Sequence, residues 1–344
     1  MADQLALQAV GCDALGSPFY GELLRRMIDD VLAGGPAWEV LGPYADRPFD
    51  DAYRLRLLGG IQRLVLAGEA PDLAEHYPSA GGDGDVDAAW AGVRGLLRDP
   101  PAGVLDALTR PPQTNEVGRS VALVPGFLVV ARDTGLPLSL LELGSSAGLN
   151  LRVEHYRYEA NGAGWGRPRS PVRFVDLWTD GTPPLDTPAV IASRRGCDRH
   201  PIDASDPESR LTLLSYVWPG QTDRFELLRA ALDVARDDPV RIDRQDAGEW
   251  VAGRLRERAP GTAAIVFHSI VWGYFDEHTA QAVRDALFEA GRAATPDAPL
   301  AWLRLEPAEA GIPVELRVTL WPGGEERLLA TAGFHLGPVH WRGS

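Results

Sequence analysis

The chain has 344 residues, 45% of them hydrophobic and 24% charged, with a formal net charge of −14. That acidity argues against a nucleic-acid backbone as the main partner, because phosphate contacts need a positive footprint, and equally against an anionic membrane surface. All 34 basic residues are arginines, so no lysine exists for a Schiff base or for a phosphate-binding P-loop.

Cys12 and Cys197 are too few and too far apart for a disulfide framework and suit a reducing compartment. Residues Met1 to Val10 have no basic and then apolar segment of signal-peptide type. The longest nearly apolar run, Val121 to Ala131, is interrupted by Pro125 and Gly126 and is well short of the roughly 20 residues that span a bilayer. The expectation is a cytoplasmic protein with no membrane partner.

From the N-terminus to about Asp133 the pattern is helical. Ser17-Pro18 signals a helix start, and Tyr20, Leu23, Leu24, Met27, Ile28 and Val31 follow at three- and four-residue spacing until Gly34-Gly35-Pro36. A second helix is expected over Asp51 to Ala67, with shorter ones over Val86 to Leu97, Val104 to Leu108 and Val117 to Asp133. Pro- and Gly-rich loops separate them. Residues 1–134 are therefore read as an all-helical N-terminal domain, and residues 135–344 as an α/β domain.

The α/β part opens on Leu138 to Leu143, an apolar run of strand length that carries Glu142 near its end. It breaks into Gly144-Ser145-Ser146-Ala147-Gly148 and resumes with residues able to open a helix. A strand, a glycine turn and a helix start together aim backbone N–H groups at a ligand. A carboxylate at Glu142 either meets that ligand or holds the turn. A hairpin insertion is expected at about 155–178, with Asn161-Gly162 at its tip. Its arginines, Arg157, Arg167, Arg169 and Arg173, together with Arg152, read as a solvated face.

Further strands are expected at Ala189 to Ser193, Val240 to Ile242, Ala263 to Phe267 and Pro299 to Glu306. Helices are expected at Pro207 to Tyr216, from near Asp223, around Trp250, and over Glu277 to Ala290. Val314, Leu316, Val318 and Leu320 alternate with polar residues, as in a half-exposed antiparallel strand. Trp321-Pro-Gly-Gly324 turns the chain, and Leu328 to Thr331 returns. The sum is five parallel strands interleaved with helices and closed by an antiparallel hairpin.

Five motifs resemble a bacterial family of unknown function over nearly the whole chain. They are Glu-Leu-Gly-Ser-Ser-Ala-Gly-Leu-Asn (142–150), Arg-Gly-Cys-Asp with Pro-Ile-Asp (195–203), Ser-Tyr-Val-Trp-Pro (215–219), Val-Phe-His-Ser-Ile-Val-Trp (266–272) and Leu-Trp-Pro-Gly-Gly (320–324). More distantly, Leu138 to Thr331 is similar to class I S-adenosylmethionine-dependent methyltransferases. That similarity implies a Rossmann-like sheet, S-adenosylmethionine as cofactor and a small-molecule acceptor bound beneath the helical cap. It implies that Glu142, Gly144, Ser145, Ser146, Gly148 and Asn150 line the methionine portion of the cofactor. It implies Asp198 on the ribose hydroxyls, Asp246 with the Ala247 backbone at the adenine, and His268 and Ser269 facing the acceptor, with His268 able to take a proton. No metal is implied.

Other readings use the same residues. Gly144-x-Ser146-x-Gly148 satisfies the nucleophile-elbow pattern of serine hydrolases, with Ser146 as nucleophile and His335 as base. In that fold several strands normally precede the elbow, whereas here the preceding residues read helical. A non-catalytic nucleotide-binding protein of the same fold is a third reading. His268 also reads as a buried histidine satisfied by its neighbours. Cys197, Asp198 and His200 match the spacing of no established closed metal site, and His335 and His340 read as hairpin or interface residues.

Overall fold

Twelve α-helices and twelve strands lie along the described residues, 1–309, 311–335 and 337–343, of a computed structural model. The helices are α1 (Ala2–Ala14), α2 (Pro18–Leu32), α3 (Pro36–Leu41), α4 (Tyr53–Leu66), α5 (Pro71–Ala74), α6 (Val86–Leu96), α7 (Ala102–Thr109), α8 (Ser120–Thr134), α9 (Pro207–Ser215), α10 (Thr222–Asp237), α11 (Ala247–Arg256) and α12 (Glu277–Arg292). The strands are β1 (Leu138–Leu143), β2 (Arg157–Ala160), β3 (Ala163–Gly166), β4 (Arg173–Val175), β5 (Trp178–Thr179), β6 (Ile191–Asp198), β7 (Ile242–Arg244), β8 (Ala263–Ser269), β9 (Leu300–Pro307), β10 (Val314–Trp321), β11 (Glu325–Ala332) and β12 (Val339–Trp341).

The chain divides into two units, residues 1–114 with 206–229, and residues 115–205 with 230–344. The first is helical. Pro18 occupies the first turn of α2, where its missing N–H costs nothing, and Leu23, Leu24 and Met27 pack with Leu57, Leu58 and Ile61 of α4 in one buried cluster. The stretch 206–229 completes this unit through buried polar bonds. Gln62 Nε2 donates to the Val217 carbonyl at 2.5 Å, and Ser17 Oγ donates to the Pro219 carbonyl at 2.9 Å.

The second unit holds a nine-stranded sheet in the order β5-β12-β11-β10-β9-β8-β1-β6-β7. Strands β7, β6, β1, β8 and β9 are mutually parallel. Strand β10 runs antiparallel to β9 and to β11, and β12 joins β11 to the two-residue β5 at the edge. Every residue of β8 is buried, as a central parallel strand covered on both faces requires. Helices α11 and α12 cover one face, packing Trp250, Val251, Val283 and Leu287 on Leu141, Leu143, Val266 and Trp302. Helix α8 covers the other, with Phe127 edge-on to Phe267 at 5.0 Å between centroids. A separate sheet, β3-β2-β4, turns at Asn161-Gly162, both at positive φ.

Three expectations are corrected. The division does not fall at 134/135. Residues Ser120 to Ala131 of α8 are all buried, and a helix that is apolar all round has to be covered on every side, so α8 goes with the sheet, while α9 goes with the helices. The sheet is larger than five strands and a hairpin, because β12 and β5 extend it. No α-helix follows the glycine turn; two short 3-10 turns, Leu149–Leu151 and Val153–His155, stand there instead. Arg152 donates to the Ala147 and Gly148 carbonyls at 3.1 and 2.6 Å, and the Tyr156 hydroxyl donates to the Leu149 carbonyl at 2.8 Å. The Gly148 and Leu149 carbonyls thus accept a side-chain donor beside the tight i to i+3 backbone bonds from Leu151 and Arg152 N–H.

Candidate functional site

In open α/β sheets, ligands bind outside the carboxyl ends of the strands where the strand order reverses. Here that reversal lies between β1 and β8, so the site is built from the β1 turn, the β8 exit and the loops beside them.

The β1 turn consumes its own backbone donors. Gly144 and Ser145 N–H both reach the Cys197 carbonyl, at 2.9 and 3.0 Å, and Gly148 N–H reaches the Ser145 carbonyl at 2.7 Å. Ser146 N–H donates to Asp198 Oδ2 at 2.8 Å, and Leu149 N–H to Asn115 Oδ1 at 2.9 Å. Five of the six N–H groups from Gly144 to Leu149 are therefore engaged within the protein, which leaves no row of free donors of the kind a helix start presents. Gly144, at φ +69°, has to lack a Cβ because that atom would lie 2.4 Å from Val271 Cγ2; Gly148, at φ +65°, makes room for Ile242 in the same way. Protein side chains occupy the space that both glycines leave.

Side-chain oxygens remain unsatisfied instead. Glu142 Oε2, Ser146 Oγ and Asn150 Oδ1 are buried and have no hydrogen-bond partner, although Asn150 Nδ2 donates to the Glu116 carbonyl at 3.3 Å. Buried polar atoms are nearly always paired, and these three unpaired ones fall within nine residues at one turn. Ser146 also holds φ +51° without being glycine. Burial pushes the Glu142 carboxyl well above the ordinary carboxylate range, and the nearby Asp198 adds to this against the opposing pull of Arg152 and Arg119.

Strand alternation sorts the remaining residues by face. Glu142 stands beside Gly196 of β6 and Phe267 of β8, so Glu142, Asp198 and Ser269 share the α8 face, while His268 points to the α11/α12 face. The structure therefore does not bring Glu142 and His268 together. Asp198 accepts from Ser146 N–H through Oδ2 and from His200 N–H through Oδ1 at 2.7 Å. Two of the four lone-pair positions of its carboxylate are thus committed.

Asp246 caps α11 by accepting from Gly248 N–H at 2.9 Å, and also accepts from Arg199 and from Thr279 Oγ1, each at 2.8 Å. Burial raises its pKa, but these three donors outweigh that and hold the carboxyl below its ordinary value. Ala247 is the buried first residue of the helix. Cys197 is buried, and burial pushes its thiol up. Among the described residues no group of three His, Cys, Asp or Glu side chains is placed to hold a metal ion.

His268 is fully buried with both ring nitrogens engaged. Trp302 Nε1–H donates to Nε2 at 3.1 Å, which leaves Nδ1 to carry the proton and donate to Glu306 Oε1 at 2.6 Å. His268 is thus a positioning residue with no free nitrogen to act as a base. Glu306 Oε1 also accepts from Val271 and Trp272 N–H at 3.2 and 3.4 Å. The Ser269 carbonyl accepts from Arg119 at 2.8 Å, and Ile270 sits at φ +51°, which is strained for a β-branched residue. Glu306, Trp302, Asn115 and Arg119 were not among the expected site residues. Glu306 ends a predicted strand as Glu142 does, and that was the one available signal.

What the geometry defines is an α/β protein whose parallel strands reverse their order between β1 and β8. The chain belongs to the family described as "Uncharacterized protein conserved in bacteria (DUF2332)", whose pattern matches residues 2–341. No curated protein and no solved structure matches it. Among the described residues no helix is long and apolar enough to cross a membrane.

Proposed function

We propose that the protein is an S-adenosylmethionine-dependent methyltransferase acting on a small molecule, with the cofactor held at the β1 turn. The observation that carries the reading is the set of three buried, unpartnered oxygens, Glu142 Oε2, Ser146 Oγ and Asn150 Oδ1, at the strand-order reversal. Counted along the chain, the five parallel strands run 3-2-1-4-5 across the sheet, the order of doubly wound nucleotide-binding folds.

Because the turn offers the Ser146 and Asn150 oxygens and no free N–H row, while its raised Glu142 carboxyl can give or take a proton, it suits a ligand that brings hydrogen-bond donors, such as an amino acid ammonium or ribose hydroxyls, better than one that brings phosphate. The residues fit this cofactor. Glu142, Ser146 and Asn150 would meet its amino acid portion, and the two uncommitted lone-pair positions of Asp198 would meet the ribose. The cofactor supplies an activated methyl group, and the chain's own work is in-line placement of an acceptor, which needs no strong base. The serine-hydrolase reading is weaker, since Ser146 Oγ engages no base.

The test is calorimetric titration of the protein with S-adenosylmethionine and S-adenosylhomocysteine. Micromolar binding, worth about 8 kcal/mol, weakened at least tenfold in Glu142→Gln and in Asn150→Ala, is expected. No binding by the wild type overturns the reading. Asp246→Ala is a poorer probe, because it also uncaps α11.

A further inference from the structure

Three neighbouring features of the β8 exit have no part in the proposed binding of the cofactor. Val271 fills the space above Gly144, 2.4 Å from where a Cβ would be. Ile270 is held in the left-handed region. Glu306 Oε1 gathers three donors, His268 Nδ1–H and the N–H groups of Val271 and Trp272. A carboxylate that receives two successive backbone N–H groups directly after a strained residue is holding that backbone in place. Trp302 fixes the His268 tautomer, so that the third donor points at the same oxygen. Trp272 is stacked on His268 at 5.1 Å between centroids, while just beyond it open space surrounds Gly273 and Tyr274 is 75% exposed.

We propose that Ile270 to Trp272 form a gate over the β1 turn, latched shut by Glu306 and opened when a ligand takes the place of Val271 beside Gly144. This regulation rests on the reading of the turn as the cofactor site. Closed, the gate covers Gly144 and keeps Ile270 strained. Open, it relieves Ile270, frees the two N–H groups from Glu306 and exposes the backbone next to the three unpartnered oxygens. The strain and the latch oppose one another, so the closed state is held without being locked.

Amide hydrogen exchange on the full chain tests this, read by mass spectrometry on peptides covering 268–276 with 263–267 as internal reference. Glu306→Gln weakens the latch and should speed exchange of the Val271 and Trp272 amides at least tenfold, leaving 263–267 as in the wild type. Ile270→Asn places a residue that tolerates positive φ in the closed loop and should slow the same amides at least threefold. Loss of protection in both variants, or change in neither, overturns the gate, because mere damage to the loop would not act with opposite signs.

Saturating S-adenosylhomocysteine should speed these amides in the wild type. Binding heat without that change overturns the gate and leaves the cofactor reading standing. Absence of heat overturns the cofactor reading, and the opposed signs of the two variants then decide the gate alone.

Discussion

Trp302→Phe separates a histidine that is held from one that is free. The indole is 5% exposed, lies tilted against Trp272 at 5.8 Å and donates to His268 Nε2 at 3.1 Å. Phenylalanine keeps a ring there and loses the donor, leaving a buried nitrogen unpaired at a cost of about 1–3 kcal/mol. The phenyl ring is also roughly 40 Å³ smaller, which at ~24 cal/mol per Å³ of residual cavity adds about 1 kcal/mol. The sum, about 2–4 kcal/mol, is to be read as a shift of the urea midpoint at constant slope. Trp38→Phe, at a position 42% exposed, is the control and should cost under about 0.5 kcal/mol. Nitrogen-15 NMR of His268 supplies the second reading, showing the Nδ1–H tautomer in the wild type and a weakened preference in the variant. A loss below about 1 kcal/mol, or an Nε2–H tautomer in the wild type, would refute the assignment of His268 as the residue that orients Glu306.

Two further predictions concern pH. The Glu142 carboxyl is raised in the folded chain by burial, while in the unfolded chain it titrates near ~4.3. The wild type therefore loses stability as pH climbs above that value, whereas Glu142→Gln does not titrate. The variant should gain on the wild type between pH 4.5 and 7.5 in urea unfolding, and a constant difference would mean that the carboxyl is not held protonated. Asp246 is shifted the other way: burial opposes the shift, and its bonds from Arg199, Thr279 and Gly248 carry it. Its contribution is present above the unfolded value and is lost as pH falls through the folded one. Asp246→Ala should cost about 1–2 kcal/mol at pH 7 through the lost cap, with the half-exposed Arg199 adding little, and the cost should vanish in acid.

Local pattern carried much of this architecture. The strand read at Leu138 to Leu143 is β1 to the residue, and the Glu277 helix and the Val314 alternation mark α12 and β10 where they occur. Such elements are written in nearest-neighbour chemistry: an apolar run, a cap at Asp276, a period of two. What escaped depends on distant partners. Strand β5 is Trp178-Thr179 alone and exists because β12 lies beside it, a pairing about 160 residues apart that no local signal announces. Where a helix is expected after Gly148 there are two 3-10 turns, to whose carbonyls Arg152 and Tyr156 fold back.

The site shows the same split. Glu142, Ser146 and Asn150 of the candidate turn were named from the resemblance of residues 142–150 to the methyltransferase first motif, a pattern contained in one short stretch. Glu306 was not, since its meaning comes from His268 and Val271, 38 and 35 residues away. That His268 faces away from Glu142 follows from the register of β8 on β1, which only the assembled sheet defines.

The interleaving of the two units has a consequence for synthesis. Ser17 and Gln62 are wholly buried, and their acceptors, the Pro219 and Val217 carbonyls, emerge from the ribosome more than 150 residues later. The helical unit therefore cannot finish while it is being made and has to wait until β1, β6 and everything between them has been translated. During that interval the Ser17 hydroxyl and the Gln62 amide N–H lack these acceptors, although Gln62 Oε1 can already accept from the Tyr20 hydroxyl, and the apolar surface around them is open to whatever holds nascent chains.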